Sequence, residues 1–135
     1  LGRLLETWAR EAEVELVSLG SLTLPAAGHE HAVEPDKSYL IGTDLGEVPH
    51  LAIEIAWTRG AENRLPVYAA LGVAEVWIWK ADRLEVHSLK RGRYLARSTS
   101  AVLPELDLSL LRAFLAEWRH SKGLVRRYEL ALRAH

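Results

Sequence analysis

The feature that most constrains this chain is one charged residue set inside an apolar strand pattern, LAIEIAW, residues 51–57. Side chains alternate along a strand, so Leu51, Ile53, Ile55 and Trp57 share one face while Ala52, Glu54 and Ala56 share the other. Glu54 therefore has only alanines beside it. A carboxylate that loses its water needs a cation or hydrogen-bond donors in exchange, so Glu54 is either a paired structural charge or a metal ligand.

A second acid stands upstream. Asp36 follows Pro35, the residues Tyr39, Leu40 and Ile41 read as a short strand, and TDLGEVPH supplies Gly46 and Pro49 to turn the chain back. A hairpin of this kind sets Asp36 near Glu54 on adjacent strands. Two ionised carboxylates held close together repel, and a divalent cation between them relieves that repulsion.

Beyond the strand, TRGAENRLPVYAALG reads as a glycine-containing turn and a short helix, with Asn63 as cap, Pro66 in the first turn and Gly72 at the end. Arg64 then falls in the first turn, with Tyr68 one turn further along the same side. Residues 73–80, VAEVWIWK, are apolar on both faces, Val76 and Ile78 on one and Trp77 and Trp79 on the other. Such a strand belongs in the middle of a sheet covered on both sides, and with the helix before it forms a right-handed parallel crossover from the Glu54 strand. The tryptophans can stack on bases, but core packing is the commoner use of residues so placed.

KADR turns the chain into an outer hairpin, RLEVHSL and RGRYLARS, which gathers Lys80, Arg83, Lys90, Arg91, Arg93 and Arg97 against Asp82 and Glu85. Such a rim either touches phosphates or keeps an edge strand from pairing with other chains. LPELDLSLLRAFLAEW is a helix capped by Asp107, with Leu108, Leu111, Phe114, Leu115 and Trp118 as its apolar stripe. Residues 118–135 carry five Lys or Arg against Glu129, with Leu124, Val125, Tyr128 and Leu132 at helical spacing. This basic amphipathic helix would pack on a neighbouring subunit, giving a homo-oligomer, or approach DNA.

At the other end, Leu1, Leu4, Leu5, Trp8 and Ala12 recur with helical spacing. A helix that begins uncapped at the first residue leads us to expect further chain upstream. Glu15 to Leu24 reads as extended, and AAGHEH as a polar loop near the site. His29 and His31 in that loop have a spacing that can hold zinc but lack a third strong ligand.

The chain has 135 residues, one domain's worth. Seventeen Lys and Arg against 18 Asp and Glu leave a net charge of −1, so contact with a nucleic acid must come from a local patch. Cysteine is absent, which excludes disulfides and thiolate metal sites and suits a reducing cytoplasm. No apolar run approaches a membrane span and no signal-peptide pattern occurs, so a cytoplasmic protein is expected.

The EPD triplet with Asp36, the IEIAWT strand with Glu54, the YAALGVAEVWIW unit and LPELDLSLL, in this order, resemble the Uma-type restriction endonuclease family of the PD-(D/E)XK nuclease superfamily. The resemblance runs from about Gly20 to Phe114. It implies an α/β fold, a mixed central sheet flanked by helices, restriction-endonuclease-like. It also implies metal-dependent hydrolysis of DNA phosphodiesters, with Asp36, Glu54 and the backbone carbonyl of Ile55 holding Mg²⁺, or Mn²⁺ as substitute. Asp36, Glu54 and Arg64 are the implied catalytic residues, and an acidic residue upstream of Leu1 can complete the site.

One departure matters. The superfamily places a lysine two residues after the second acid, but Ile55 and Ala56 follow Glu54 here; in Uma-type proteins that lysine moves to the next helix, at the position of Arg64. Arginine, with a pKa above ~12, neutralises a phosphate but cannot serve as general base. Two rival readings follow: an inactive scaffold that binds DNA or a protein partner, and a structural or regulatory oligomer in which Asp36 and Glu54 merely pair with Arg64 or Arg59. A first-turn Arg64 exposed to solvent or paired with Glu62 is the plainest alternative for that residue.

Overall fold

The computed structural model describes residues 1–19, 34–43, 46–56, 60–119 and 122–134. Six strands form one sheet in sequence order: β1 (Leu16–Ser18), β2 (Lys37–Ile41), β3 (Leu51–Ala56), β4 (Glu75–Lys80), β5 (Arg83–Lys90) and β6 (Arg93–Arg97). All neighbouring pairs are antiparallel except β3 and β4, which are parallel. The sheet is therefore mixed, as expected. The parallel pair requires a crossover, supplied by a 3₁₀ turn (Ala61–Arg64) leading into helix α2 (Leu65–Leu71). Gly72 ends α2 with φ 80°, a left-handed cap that a Cβ would strain.

The alternation of β3 and β4 divides the core into two layers. Leu51, Ile53, Trp77 and Val86 pack beneath α1 (Gly2–Ala12), α3 (Leu108–Leu115) and α4 (Leu124–Arg133). Ala52, Val76 and Ile78 pack with Tyr68 of α2 on the other face. Strands apolar on both faces thus sit mid-sheet, with Trp77 fully buried and Trp79 partly so. The tryptophans serve the core. One face bears three helices and the other a single short one, which leaves the carboxyl end of β3 only half covered.

Several local expectations need correction. Asn63 does not cap α2: its own N–H bonds to the Gly60 carbonyl inside the 3₁₀ turn, and Arg64 takes the cap position without a side-chain bond. Asp107 does cap α3, accepting from the Leu110 N–H at 3.1 Å. Trp118 lies outside the apolar stripe, because α3 stops at Leu115; the indole is 41% exposed and donates to Asp82. The expected helix over 118–135 is confined to Leu124–Arg133.

That last helix packs within the chain. Its Tyr128 is fully buried with its ring tilted against that of Phe114, centroids 5.2 Å apart, while Arg133 pairs with Glu11 of α1 and with Glu129. Exposed pairs of this sort orient more than they stabilise; burial of the stripe against α1 and α3 decides the docking. The apolar stripe that suggested a homo-oligomer is used within the chain. The Glu15–Leu24 strand survives as β1, paired with β2, and its remainder, with His29, Glu30 and His31, lies outside the described residues.

Burial raises the phenol of each of the four tyrosines: Tyr39 to about 12, and Tyr68, Tyr94 and Tyr128 also upward. A raised folded pKa means that the stability these groups contribute is complete below pH ~10, the free phenol value, and declines as pH rises through the folded values. Spectrophotometric titration at about 295 nm should therefore show almost no tyrosinate at pH 10, where a free phenol is half ionised, and a steep rise only as the fold is lost.

Candidate functional site

Asp36 is the bend residue just before Lys37, whose strand partner is Ile53, so it lies beside the Glu54–Ile55 end of β3. Alternation along β3 puts Glu54 on the face covered by α2, with Ala52. The hairpin brings Asp36, one residue ahead of β2, beside the end of β3 that carries Glu54. The hairpin is fastened at its other end by His50, whose Nδ1 accepts from the Ile41 N–H at 2.8 Å.

Asp36 is exposed, and its Oδ2 accepts the Ile55 N–H at 2.7 Å. The N–H and C=O of one strand residue project to the same edge, so the Ile55 carbonyl also faces the Asp36 side. Glu54, by contrast, is only 2% exposed. Its Oε1 accepts from the Tyr68 hydroxyl and its Oε2 from the Arg64 guanidinium at 2.8 Å. The buried carboxylate has thereby exchanged water for one neutral and one cationic donor, which a buried charge requires.

The two partners differ in freedom. Tyr68 is fully buried, and desolvation first, then its bond to Glu54, raises its phenol so that it remains a donor. Arg64 has a side chain 53% exposed, its charge reinforced chiefly by the hydrogen bond to Glu54. Glu62 pairs with Lys80 at 2.7 Å, so the simple Arg64–Glu62 pair is not formed. Among the described residues Arg64 has no hydrogen bond to Asp36, and Arg59 lies outside them.

Hard-cation fit can be judged from these atoms. Mg²⁺ is commonly held by one or two carboxylates with waters and substrate oxygens completing the shell, and Asp36, Glu54 and the Ile55 carbonyl are donors of that kind. Among the described residues no group of three or more His, Cys, Asp or Glu converges on one point. The donor chemistry fits, and the Arg64 guanidinium stands where a cation would neutralise Glu54.

The basic hairpin tip is elsewhere. The register Glu54↔Ile78↔Glu85 puts Lys90 five residues further along the sheet, roughly 16 Å, so Lys90, Arg91 and Arg93 sit at the opposite end from the acids. They guard the β6 edge. On the other face of the sheet from Glu54, Lys37, Arg3, Ile55 and Trp118 line a groove of about 620 Å³ between α1, α3 and α4.

A second buried acid went unnoticed in the sequence. Glu75, fully buried on the opposite face, accepts from Trp77 Nε1, Ser88 Oγ, Ser100 Oγ and the N–H groups of Ala101 and Val102. All of its donors are neutral, and they tie β4 and β5 to the segment before α3. An acid inside VAEVWIWK was the available signal.

A mixed sheet with two acids at the open end of a parallel strand defines an α/β protein of restriction-endonuclease type. The family whose model matches, over residues 1–124, is Uma2, described as "Putative restriction endonuclease"; the chain belongs to that family, part of the PD-(D/E)XK nuclease superfamily. No curated protein matches the chain. Membership points to nuclease activity on DNA, in a family type that generally uses divalent metals. Among the described residues no helix is long and apolar enough to cross a membrane.

Tyr68→Phe removes one of two donors from a buried carboxylate. It should lower the unfolding free energy by about 2 kcal/mol, measured by urea denaturation, more than loss of an ordinary hydrogen bond.

Proposed function

We propose that this protein is a Mg²⁺-dependent endonuclease that hydrolyses phosphodiester bonds in DNA, with Asp36, Glu54 and the Ile55 carbonyl holding the ion and Arg64 serving the phosphate. The observation that carries this reading is an exposed carboxylate, Asp36, bonded to the Ile55 N–H next to the buried carboxylate of Glu54, beside a half-exposed guanidinium. When bound, the ion supplies Lewis-acid polarisation of the phosphoryl oxygen and a lowered pKa for its water.

The chain's own residues do the rest. Tyr68 keeps the Glu54 carboxylate in one rotamer, so that one oxygen stays turned toward the open end of β3. Asp36 is held by the Ile55 N–H, which fixes its spacing from the backbone carbonyl next to it. Arg64 contributes a permanent positive charge to a phosphate whose negative charge is shared over its oxygens, and it accepts no proton from water.

The Arg64–Glu54 pair also favours a second reading, a nuclease-like scaffold that binds DNA or a partner without cutting, since the ion pair by itself satisfies the buried acid. Plasmid cleavage separates the two. The endonuclease reading expects Mg²⁺-dependent conversion of supercoiled DNA to nicked or linear forms, stopped by EDTA and reduced at least a hundredfold in Asp36→Ala, whose rate loss reflects missing charge stabilisation. Binding of the same plasmid with no Mg²⁺- or Mn²⁺-dependent cleavage would decide for the scaffold.

A further inference from the structure

Glu54 offers two oxygens, and the structure treats them differently. Oε1 belongs to a tyrosine with no exposed surface whose ring lies in the smaller core layer, so that contact cannot open without unpacking α2. Oε2 belongs to an arginine on the junction between the 3₁₀ turn and α2, with about half its side chain in solvent. Only the second oxygen can change partner.

A guanidinium bonded to Oε2 and a divalent ion on the same oxygen repel each other strongly at contact distance in a partly buried site. Lysine could resolve that conflict by losing its proton, but arginine stays charged. It must therefore move, and it needs another anion to move to. A phosphodiester suits it, since the planar fork of arginine matches two phosphate oxygens.

Resting on the nuclease reading above, we propose that Arg64 is a resident counter-cation which keeps the metal-facing oxygen of Glu54 occupied until a substrate phosphodiester draws the guanidinium away, so that metal loading and substrate binding reinforce each other. The protein alone binds the ion weakly. Coupling of this kind is reciprocal: whatever releases Arg64 tightens the ion, and the ion tightens the phosphate. It also gives the lysine-to-arginine departure a consequence, a site that stays neutralised when no nucleic acid is present.

Mn²⁺ titrations by isothermal calorimetry test this on the same chain. Arg64→Ala and Arg64→Gln, both at a half-exposed position and both first shown by circular dichroism to be folded at the titration temperature, should bind Mn²⁺ at least about tenfold more tightly than the parent. Dimethyl phosphate, at matched ionic strength, should tighten Mn²⁺ binding by the parent and leave the two variants unaffected. Equal or weaker Mn²⁺ binding by the Arg64 variants, or a parent indifferent to dimethyl phosphate, overturns the counter-cation. Glu54→Gln separates that failure from a failure of the nuclease reading. If it abolishes Mn²⁺ binding while Arg64→Ala changes nothing, the metal site stands and the counter-cation falls. If no form binds Mn²⁺, or Glu54→Gln has no effect, both fall.

Discussion

The burial of one carboxylate governs the working end of this fold. Glu54 is 2% exposed in a strand whose neighbours on the same face are alanines, and an unpaired charge there would cost several kcal/mol. The crossover from β3 to β4 meets that demand. It returns over Glu54 as a 3₁₀ turn and a short helix, and one turn of that helix separates the two donors, Arg64 and Tyr68, that close on the acid. The same crossover makes β3 and β4 parallel and opens their carboxyl ends, where α/β proteins commonly keep their chemistry. Pairing of a buried acid and formation of a site are here one structural event.

Comparison with Glu75 sharpens this. Both are glutamates inside apolar strands, both are buried, and both are fully hydrogen bonded. Glu75 is enclosed by neutral donors from indole, hydroxyls and backbone, an arrangement that exists only when β4, β5 and the loop through Ser100–Val102 are assembled. It is a structural anchor. Glu54 has one partner whose side chain is about half exposed, and an exposed second acid just ahead of β2 beside it. Replaceable partners, rather than burial alone, distinguish a site from a brace.

Much of this was legible in the residues. Period-two alternation in LAIEIAW and the two-faced apolar pattern of VAEVWIWK reported the two core layers and the central strands, and Gly72 reported the end of α2, because each is a local consequence of backbone geometry. The nearness of Asp36 to the Glu54 end of β3 followed from one hairpin. What escaped depended on distant parts of the chain. Asn63 looked like a cap until Gly60 drew its N–H into a 3₁₀ turn. Trp118 had the spacing for α3's stripe but not the helix, which ends at Leu115. The basic hairpin tip could be placed at one end of the sheet or the other only by strand register. Arg64 was singled out by the family position it resembles, whereas its direct bond to Glu54 is a property of how the crossover folds back.

The central claim is that Asp36 and Glu54 form a place for a divalent ion that Arg64 now neutralises. Diffraction from crystals of Arg64→Ala soaked in Mn²⁺ tests it most directly. The account predicts one strong anomalous peak within coordinating distance of both carboxylates and of the Ile55 carbonyl. An empty gap at saturating Mn²⁺, with the two acids turned away from each other or satisfied by other side chains, would contradict it.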